Sequence, residues 1–277
     1  MGISVKKGNG GYLGFDARAN VTSSIGIISL RKARLERLGG DLEPVFPSNF
    51  LFEDTFATGD LSKWTTANQS STKKWMVGTS TKGTGTSLVT IPSGSTYAAY
   101  ITDDGTDNHY TVNTNCHMYF DFTIPTGTTS LTLSFQWMCT GENASAAGSF
   151  DFGYIMFASS RFNPSAGTEY SALTLDEGDD KYARLIVGNI TGNDRNDNNG
   201  KFNSNNSSAR VENNGASNAF VEENMTISET VLEELEAPEG LWSTTQERRL
   251  IFSFTSDGSL QYDPSWTIAN VRLRVNE

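Results

Sequence analysis

Histidine, cysteine and paired carboxylates are the side chains that could give this chain covalent or metal chemistry, and the first two are scarce. There are two histidines, His109 and His117, and two cysteines, Cys116 and Cys139. Ser-His-Asp or Cys-His catalysis needs a histidine beside a nucleophile. Nothing in the sequence places either one there: Cys116 adjoins His117, but neighbours on a strand point to opposite faces. Two cysteines cannot build a disulfide framework and lack partners for a zinc site, so they read as buried free thiols, with one cross-strand pairing as the alternative. Neither a Gly-x-Ser-x-Gly elbow nor a phosphate-binding Gly-x-x-x-x-Gly-Lys loop occurs; the segment 78–83 has its lysine in the wrong place.

Carboxylates are plentiful. Glu142, Asp151, Asp176 and Glu177 fall near expected strand ends, where two could act as acid and base on a glycosidic bond. With 32 Asp and Glu in the chain, some such pair arises by chance, so a glycosidase stands behind two other readings. Clustered oxygens at Glu53-Asp54, Asp103-Asp104-Gly105-Thr106-Asp107 and Asp176-Glu177-Gly178-Asp179-Asp180 suit calcium at turns, although none has the EF-hand spacing. No cofactor is expected beyond one candidate structural calcium ion. Trp64, Trp75, Trp242 and Trp266 could stack on sugar rings if exposed on one face; Trp64 and Trp266 are the candidate glycan-binding residues, against the ordinary reading of tryptophan as core.

The elements that must position these residues are strands. The chain has 277 residues with 26 Gly, 16 Phe, 9 Tyr, 5 Trp and only 19% charged residues, a composition of turns and aromatic-rich strands that excludes an all-helical protein. Strand signals recur at 75–77, 87–91, 98–101, 117–124, 130–138, 150–158, 182–187, 210–211, 220–227, 248–255 and 267–275. Leu131, Leu133, Phe135 and Trp137 alternate with Thr132, Ser134 and Gln136, the period of a half-buried strand. Helical crossovers for a parallel sheet are missing between these segments. The fold expected is all-β, an antiparallel jelly-roll sandwich over residues 49–277, preceded by an extended N-terminal arm and linker over residues 1–48 that carries one short helix at 25–38. Segment 192–215 reads as a long polar loop, and 229–239 as a short acidic helix or loop.

Charge divides at the same linker, which holds Pro44 and Pro47. Residues 1–50 carry seven Lys/Arg against four Asp/Glu, and residues 51–277 carry 14 against 28, so +3 is followed by −14. Arg31, Lys32, Arg34 and Arg37 on the expected helix are candidate docking residues for an acidic partner. The acidic body repels phosphate, which argues against nucleic acid, and no apolar run is long enough to insert in a membrane as a helix. The start of the sequence has no apolar signal-peptide core.

Several segments together carry a resemblance: Phe52-Glu53-Asp54-Thr55-Phe56, Gly59 to Thr65 (GDLSKWT), Tyr97 to Gly105 (YAAYITDDG), Leu131 to Trp137, and the closing stretch from Arg249 through Pro264 to Leu273. Across roughly residues 50–275 the chain resembles the MAM-like jelly-roll domains of the choice-of-anchor J type. The resemblance implies the jelly-roll fold and adhesion to glycan or protein. It also implies a calcium site, which here would fall to Glu53, Asp54 and Asn270, with Ala269 standing where the family has Asp in its Ile-Asp-Asn signature. Family members carry an export signal and a C-terminal sorting tail, and the sequence has neither. The resemblance, joined to the basic arm, therefore implies a non-enzymatic structural component of a tailed-phage virion, of the crAss-like kind. In this reading residues 1–48 dock on other virion proteins, the sandwich is exposed toward host-surface glycans, and the unit is a homo-oligomer located in the virion. The alternative is a secreted or cell-surface carbohydrate-binding adhesion module, followed by a glycosidase.

Overall fold

A computed structural model describes residues 49–79, 91, 95–111, 113–141, 143–144, 148–149, 151–170, 175–176, 182–186, 220–228, 247–258 and 264–276. The expected arm 1–48, the helix expected in it with Arg31, Lys32, Arg34 and Arg37, the expected strand at 210–211, most of that at 87–91, and the two segments 192–215 and 229–239 lie outside the described residues.

The described residues contain strands and no helix, as an all-β sequence pattern requires. Fourteen strands appear in chain order: β1 Phe50–Asp54, β2 Thr65–Ala67, β3 Lys74–Gly78, β4 Ala98–Thr102, β5 Asn115–Thr123, β6 Ser130–Met138, β7 Asn143–Ala144, β8 Gly148–Ser149, β9 Phe152–Ser159, β10 Leu175–Asp176, β11 Tyr182–Ile186, β12 Val221–Ser228, β13 Glu247–Thr255 and β14 Thr267–Asn276. One antiparallel sheet runs β12-β6-β14-β4-β3, with β1 also paired to β14; the other runs β10-β11-β9-β13-β5-β2; β7 and β8 form a small hairpin. The strands of eight or more residues alternate between the two sheets in chain order, with β6, β12 and β14 in the first and β5, β9 and β13 in the second. This is the winding of a jelly-roll sandwich.

Strand alternation decides which faces meet. From the first sheet Leu131, Leu133, Phe135 and Trp137 of β6, Ile268, Val271 and Leu273 of β14, and Met225 and Ile227 of β12 point inward. They face Met118, Phe120 and Phe122 of β5, Leu250, Phe252 and Phe254 of β13, and Ile155 and Phe157 of β9. All are buried, and the rings meet edge to face, as Phe135 does on Phe252 with centroids 5.4 Å apart. The outer face of the first sheet is polar: Ser130, Thr132, Ser134 and Gln136 are half-buried and Arg272 and Arg274 exposed. The outer face of the second sheet differs. It buries a second apolar layer of Phe152, Tyr154, Met156, Ala158 and Ile251 beneath Phe162 and Tyr170, which come from the segment that follows β9.

Cys116 and Cys139 are both buried free thiols. Burial pushes the Cys116 thiol up to about 11 and raises that of Cys139 well above the usual range, so both stay protonated and unreactive at neutral pH.

Candidate functional site

The candidate site lies on the outer face of the second sheet, where β5 and β13 pair in a register that sets His117 opposite Ser253, Tyr119 opposite Ile251 and Asp121 opposite Arg249. Strand β2 adds Thr65 opposite Tyr119. Because Met118, Phe120 and Phe122 are committed to the core, the intervening His117, Tyr119 and Asp121 must face outward. After β9 the chain turns at Ser159, whose carbonyl accepts from Phe162 N (3.1 Å), and residues 160–170 form a strap over this face.

Arg249 organises the exposed edge of that face. Its Nε and Nη2 donate to the two carboxylate oxygens of Asp121 at 2.7 and 2.9 Å. Its Nη1 donates to the Phe162 carbonyl at 2.6 Å and to Asn163 Oδ1 at 2.8 Å. The guanidinium carbon stacks 4.0 Å from the Tyr119 ring centroid. The planar fork thus fixes a carboxylate, an amide and a phenol ring at once, which a lysine could not do. The Arg249 side chain is only 6% exposed whereas that of Asp121 is 47% exposed, so the arginine is the frame and the acid reaches solvent. Asn163 and Thr65 are exposed and Tyr119 half-buried beside it. The result is a shelf with a carboxylate acceptor, an amide, a hydroxyl and an aromatic ring: groups that hydrogen-bond hydroxyls and pack against C–H surface.

Deeper under the strap sits a buried polar chain. His117 Nε2 lies 3.0 Å from the Thr168 carbonyl, and its Nδ1 lies 2.8 Å from Ser253 Oγ. A carbonyl only accepts, so Nε2 carries the proton and Nδ1 accepts from the serine hydroxyl. Ser253 is bonded in turn to the Tyr154 hydroxyl, which accepts from Tyr170 N at 3.0 Å. Burial holds His117 down at about 4, so the ring is neutral at physiological pH. A histidine does therefore stand beside a serine, contrary to the sequence reading. Cross-strand register brings them together over 136 positions, a relation that local spacing does not encode. Both residues are fully buried, so the pair has no route to a substrate carbonyl.

The structure relocates most of the sequence-predicted site residues. Trp64 and Trp266 are core residues, at 8% and 0% exposure, and present no face to a sugar. The Trp64 indole N–H donates to Asp54 Oδ2 at 2.8 Å, and the Trp266 ring stacks on Phe252. Trp75 is likewise buried, and Trp242 lies outside the described residues.

The Glu53, Asp54 and Asn270 oxygens do not form a calcium cage. Glu53 and Asp54 are consecutive in β1 and point to opposite faces, one exposed and one buried. Glu53 Oε1 accepts from Arg272 Nε at 2.8 Å, Asp54 Oδ1 from Phe56 N at 2.8 Å, and Asn270 Oδ1 from the Ser95 hydroxyl at 2.7 Å. Asp104 caps its own turn, its Oδ1 accepting from Thr106 N, Asp107 N and the Thr102 and Thr106 hydroxyls. Among the described residues no three His, Cys, Asp or Glu side chains gather as a metal site.

Of the carboxylates considered for glycoside chemistry, Asp151 is fully buried and bonded to the Tyr110 hydroxyl and Asp257 N. Glu142 and Glu177 and the side chain of Asp176 lie outside the described residues. The shelf residues Tyr119, Asp121, Asn163 and Arg249 escaped the sequence reading. The available signal was the outward set of the two strands, His117, Tyr119 and Asp121 on β5 and Arg249 and Ser253 on β13, which is polar apart from Ile251 although the inward set is apolar.

No family model matches the sequence, and no curated protein does. Solved structures are similar to it only distantly. The enzymatically active domain of tailspike protein 4 of bacteriophage CBA120 is 11% identical with a TM-score of 0.38, the match covering 80% of this chain and 20% of that one. The chain therefore spans about a fifth of the length of that solved domain. The carbohydrate-binding module TmCBM61, solved with β-1,4-galactotriose, is 9% identical with a TM-score of 0.36, covering 82% of this chain and 99% of the module. A cleaved adhesin domain of Lys-gingipain from Porphyromonas gingivalis is 12% identical with a TM-score of 0.39, covering 81% and 98%.

Proposed function

We propose that this chain is a non-enzymatic structural component of a tailed-phage virion, with residues 1–48 docking on the particle and the jelly roll, of the MAM-like choice-of-anchor J kind, exposed to contact neutral glycans of the host surface. The observation that carries the glycan part is the shelf of Tyr119, Asp121 and Asn163 held by the Arg249 fork. Its exposed carboxylate accepts from pairs of sugar hydroxyls, its amide completes a polar rim, and its ring packs against a pyranose face. A net −14 over residues 51–277 disfavours anionic polysaccharide, so the ligand class is neutral. Asp121 has both oxygens engaged by one guanidinium and Asp151 is sealed in the core, which supports binding over catalysis. The change of charge sign between residues 1–50 and the rest supports a separate docking role for the arm.

The glycan reading is tested by affinity electrophoresis through a panel of neutral polysaccharides. A retarded wild-type protein, with retardation lost in Asp121→Ala and Asn163→Ala while both variants remain folded by circular dichroism, is the expected result. Equal migration of wild type and both variants in every gel refutes the shelf as a sugar site. The virion reading is tested by deleting residues 1–48 and purifying particles. The truncated sandwich should remain folded and be missing from the particles, and its normal incorporation would defeat the docking role.

A further inference from the structure

We propose that the shelf is the closed end of a trough along β5 and β13, and that it takes the terminal sugar of a neutral glycan chain or side branch rather than an internal unit. This rests on the glycan reading and adds to it which part of a chain is held and where the remainder leaves.

The outward residues of β5 and β13 stand in successive rows: His117 beside Ser253, Tyr119 beside Ile251, Asp121 beside Arg249 and Thr123 beside Glu247. Over the first row the strap crosses both strands. The Thr168 carbonyl meets His117 Nε2 at 3.0 Å, Gly167 N donates to the Asn115 carbonyl at 3.1 Å, and a Cβ at Gly167 would lie 3.7 Å from Gln69 Cγ, just beyond β2. His117 and Ser253 are fully buried beneath it. The flank toward β9 is closed by Phe162 and Asn163, which Arg249 Nη1 holds through the Phe162 carbonyl and the Asn163 amide oxygen. Exposure then rises along the strands: Tyr119 is half-buried, and Asp121, Thr123 and Glu247 are exposed. The floor is thus walled at one end and along one side, and open past Thr123 and Glu247.

The end wall is internally braced. Ser165 N donates to the Tyr170 hydroxyl at 2.9 Å, Thr168 N to the Ser165 carbonyl at 3.2 Å and Tyr170 N to the Tyr154 hydroxyl at 3.0 Å, while the Tyr170 ring packs edge to face on Phe162 with centroids 5.5 Å apart. A pre-ordered wall costs a ligand no ordering and rejects one that does not fit. An internal sugar has a neighbour on both sides. Seated on Asp121 and Asn163 along the strands, it would drive one neighbour into residues 165–170; seated across them, into Phe162 and Asn163. A terminal sugar has a single neighbour, which leaves by the open end.

The hydrogen-bonding groups match that unit. Each Asp121 oxygen takes one bond from Arg249 and keeps a lone pair for a sugar hydroxyl. Asn163 Nδ2 spends one N–H on the Arg161 carbonyl at 3.4 Å and keeps the other to donate. A non-reducing terminal unit offers one more free hydroxyl than an internal one, because each linkage consumes a hydroxyl. Thr123 and Glu247 stand about 7 Å farther along, two residues of extended strand, and give the next sugar a hydroxyl and a carboxylate. They are also the end residues of β5 and β13, so the sheet contacts a terminal unit and its neighbour and then stops.

The full chain is titrated calorimetrically with a neutral galactan, a glucomannan and a xyloglucan, each before and after partial acid hydrolysis, and with the mono- and oligosaccharides of each. End binding follows the number of chain ends, so cutting a linear chain into ten should lower the half-saturating mass concentration about tenfold, and affinity should level off at the disaccharide. Glu247→Ala, a change at an exposed position, should remove about tenfold of the affinity that the second sugar adds, the size of one hydrogen bond to a carboxylate. A half-saturating mass that hydrolysis leaves unchanged, several proteins bound per linear chain, or an increment from the second sugar that Glu247→Ala does not reduce overturns the terminal-unit proposal and leaves the glycan reading standing. Absence of heat with every polysaccharide, hydrolysate and oligosaccharide defeats the glycan reading and this one with it.

Discussion

Gly153 shows how one missing methyl can seat the core of a sandwich. A Cβ built at this position of β9 would overlap the ring carbons of Trp266, so the indole lies directly on the backbone of the opposite sheet. Gly153→Ala should therefore cost about 1–3 kcal/mol by overpacking, read as a lower denaturation midpoint at unchanged slope. Asp54 is a second position where a single group serves several neighbours: it accepts from the Trp64 indole and from Phe56 N, and Phe56 sits at φ 55° in the left-handed region. Asp54→Ala leaves two buried donors unpaired, and a loss of about 1–3 kcal/mol is expected from equilibrium urea unfolding. A calcium ligand would behave differently, since its removal would matter only with the ion present. Equal destabilisation of Asp54→Ala in calcium and in chelator is the outcome these contacts predict.

Among the elements, the strap and β13 together make the surface. Strand β13 sends Leu250, Phe252 and Phe254 into the core and Arg249, Ile251 and Ser253 outward. The outward residues play three different parts, since Arg249 frames the shelf, Ile251 floors the second apolar layer, and Ser253 joins His117 to Tyr154. Arg249→Lys removes the fork from Asp121, Phe162 and Asn163 while keeping the charge. The expected consequence is faster amide exchange in residues 160–164 with strands β5, β9 and β13 unaffected, and a modest stability loss of about 1–2 kcal/mol because Asp121 is half in water. Much of this architecture is legible in the sequence. The alternation of 131–137 and of 271–275 marks β6 and β14 with their correct inward faces, since a period of two follows from pleat geometry alone. Strand β1 and the three-residue β2 are not, as short segments beside Asp and Gly turns carry too little pattern. The site is hidden for a different reason: Asp121 meets Arg249 across 128 positions and Asn163 meets it across 86, and such pairings come from register and strap path rather than from neighbours in the chain. The tryptophans mislead because ring chemistry is the same for stacking on a sugar and on Phe252, and only burial separates the two.

At the scale of the whole molecule, electrostatics and the shelf make opposing demands that salt can separate. The chain carries a net charge of −11, so any polyanion approaches against a repulsive field whose reach is about 10 Å at 0.1 M salt. A neutral glycan feels no such field, and its contacts with Asp121, Asn163 and Tyr119 are short-range hydrogen bonds and apolar packing that added salt screens little. Binding to a neutral polysaccharide should therefore change by less than about twofold between roughly 20 mM and 500 mM NaCl, with an association rate equally flat. If the ligand were instead an acidic polysaccharide, affinity would rise with salt as the repulsion is screened. If a cationic surface were the target, affinity would fall steeply. Isothermal titration at the two salt concentrations distinguishes all three, because the sign of the salt response reports the charge of the partner independently of where on the sandwich it sits.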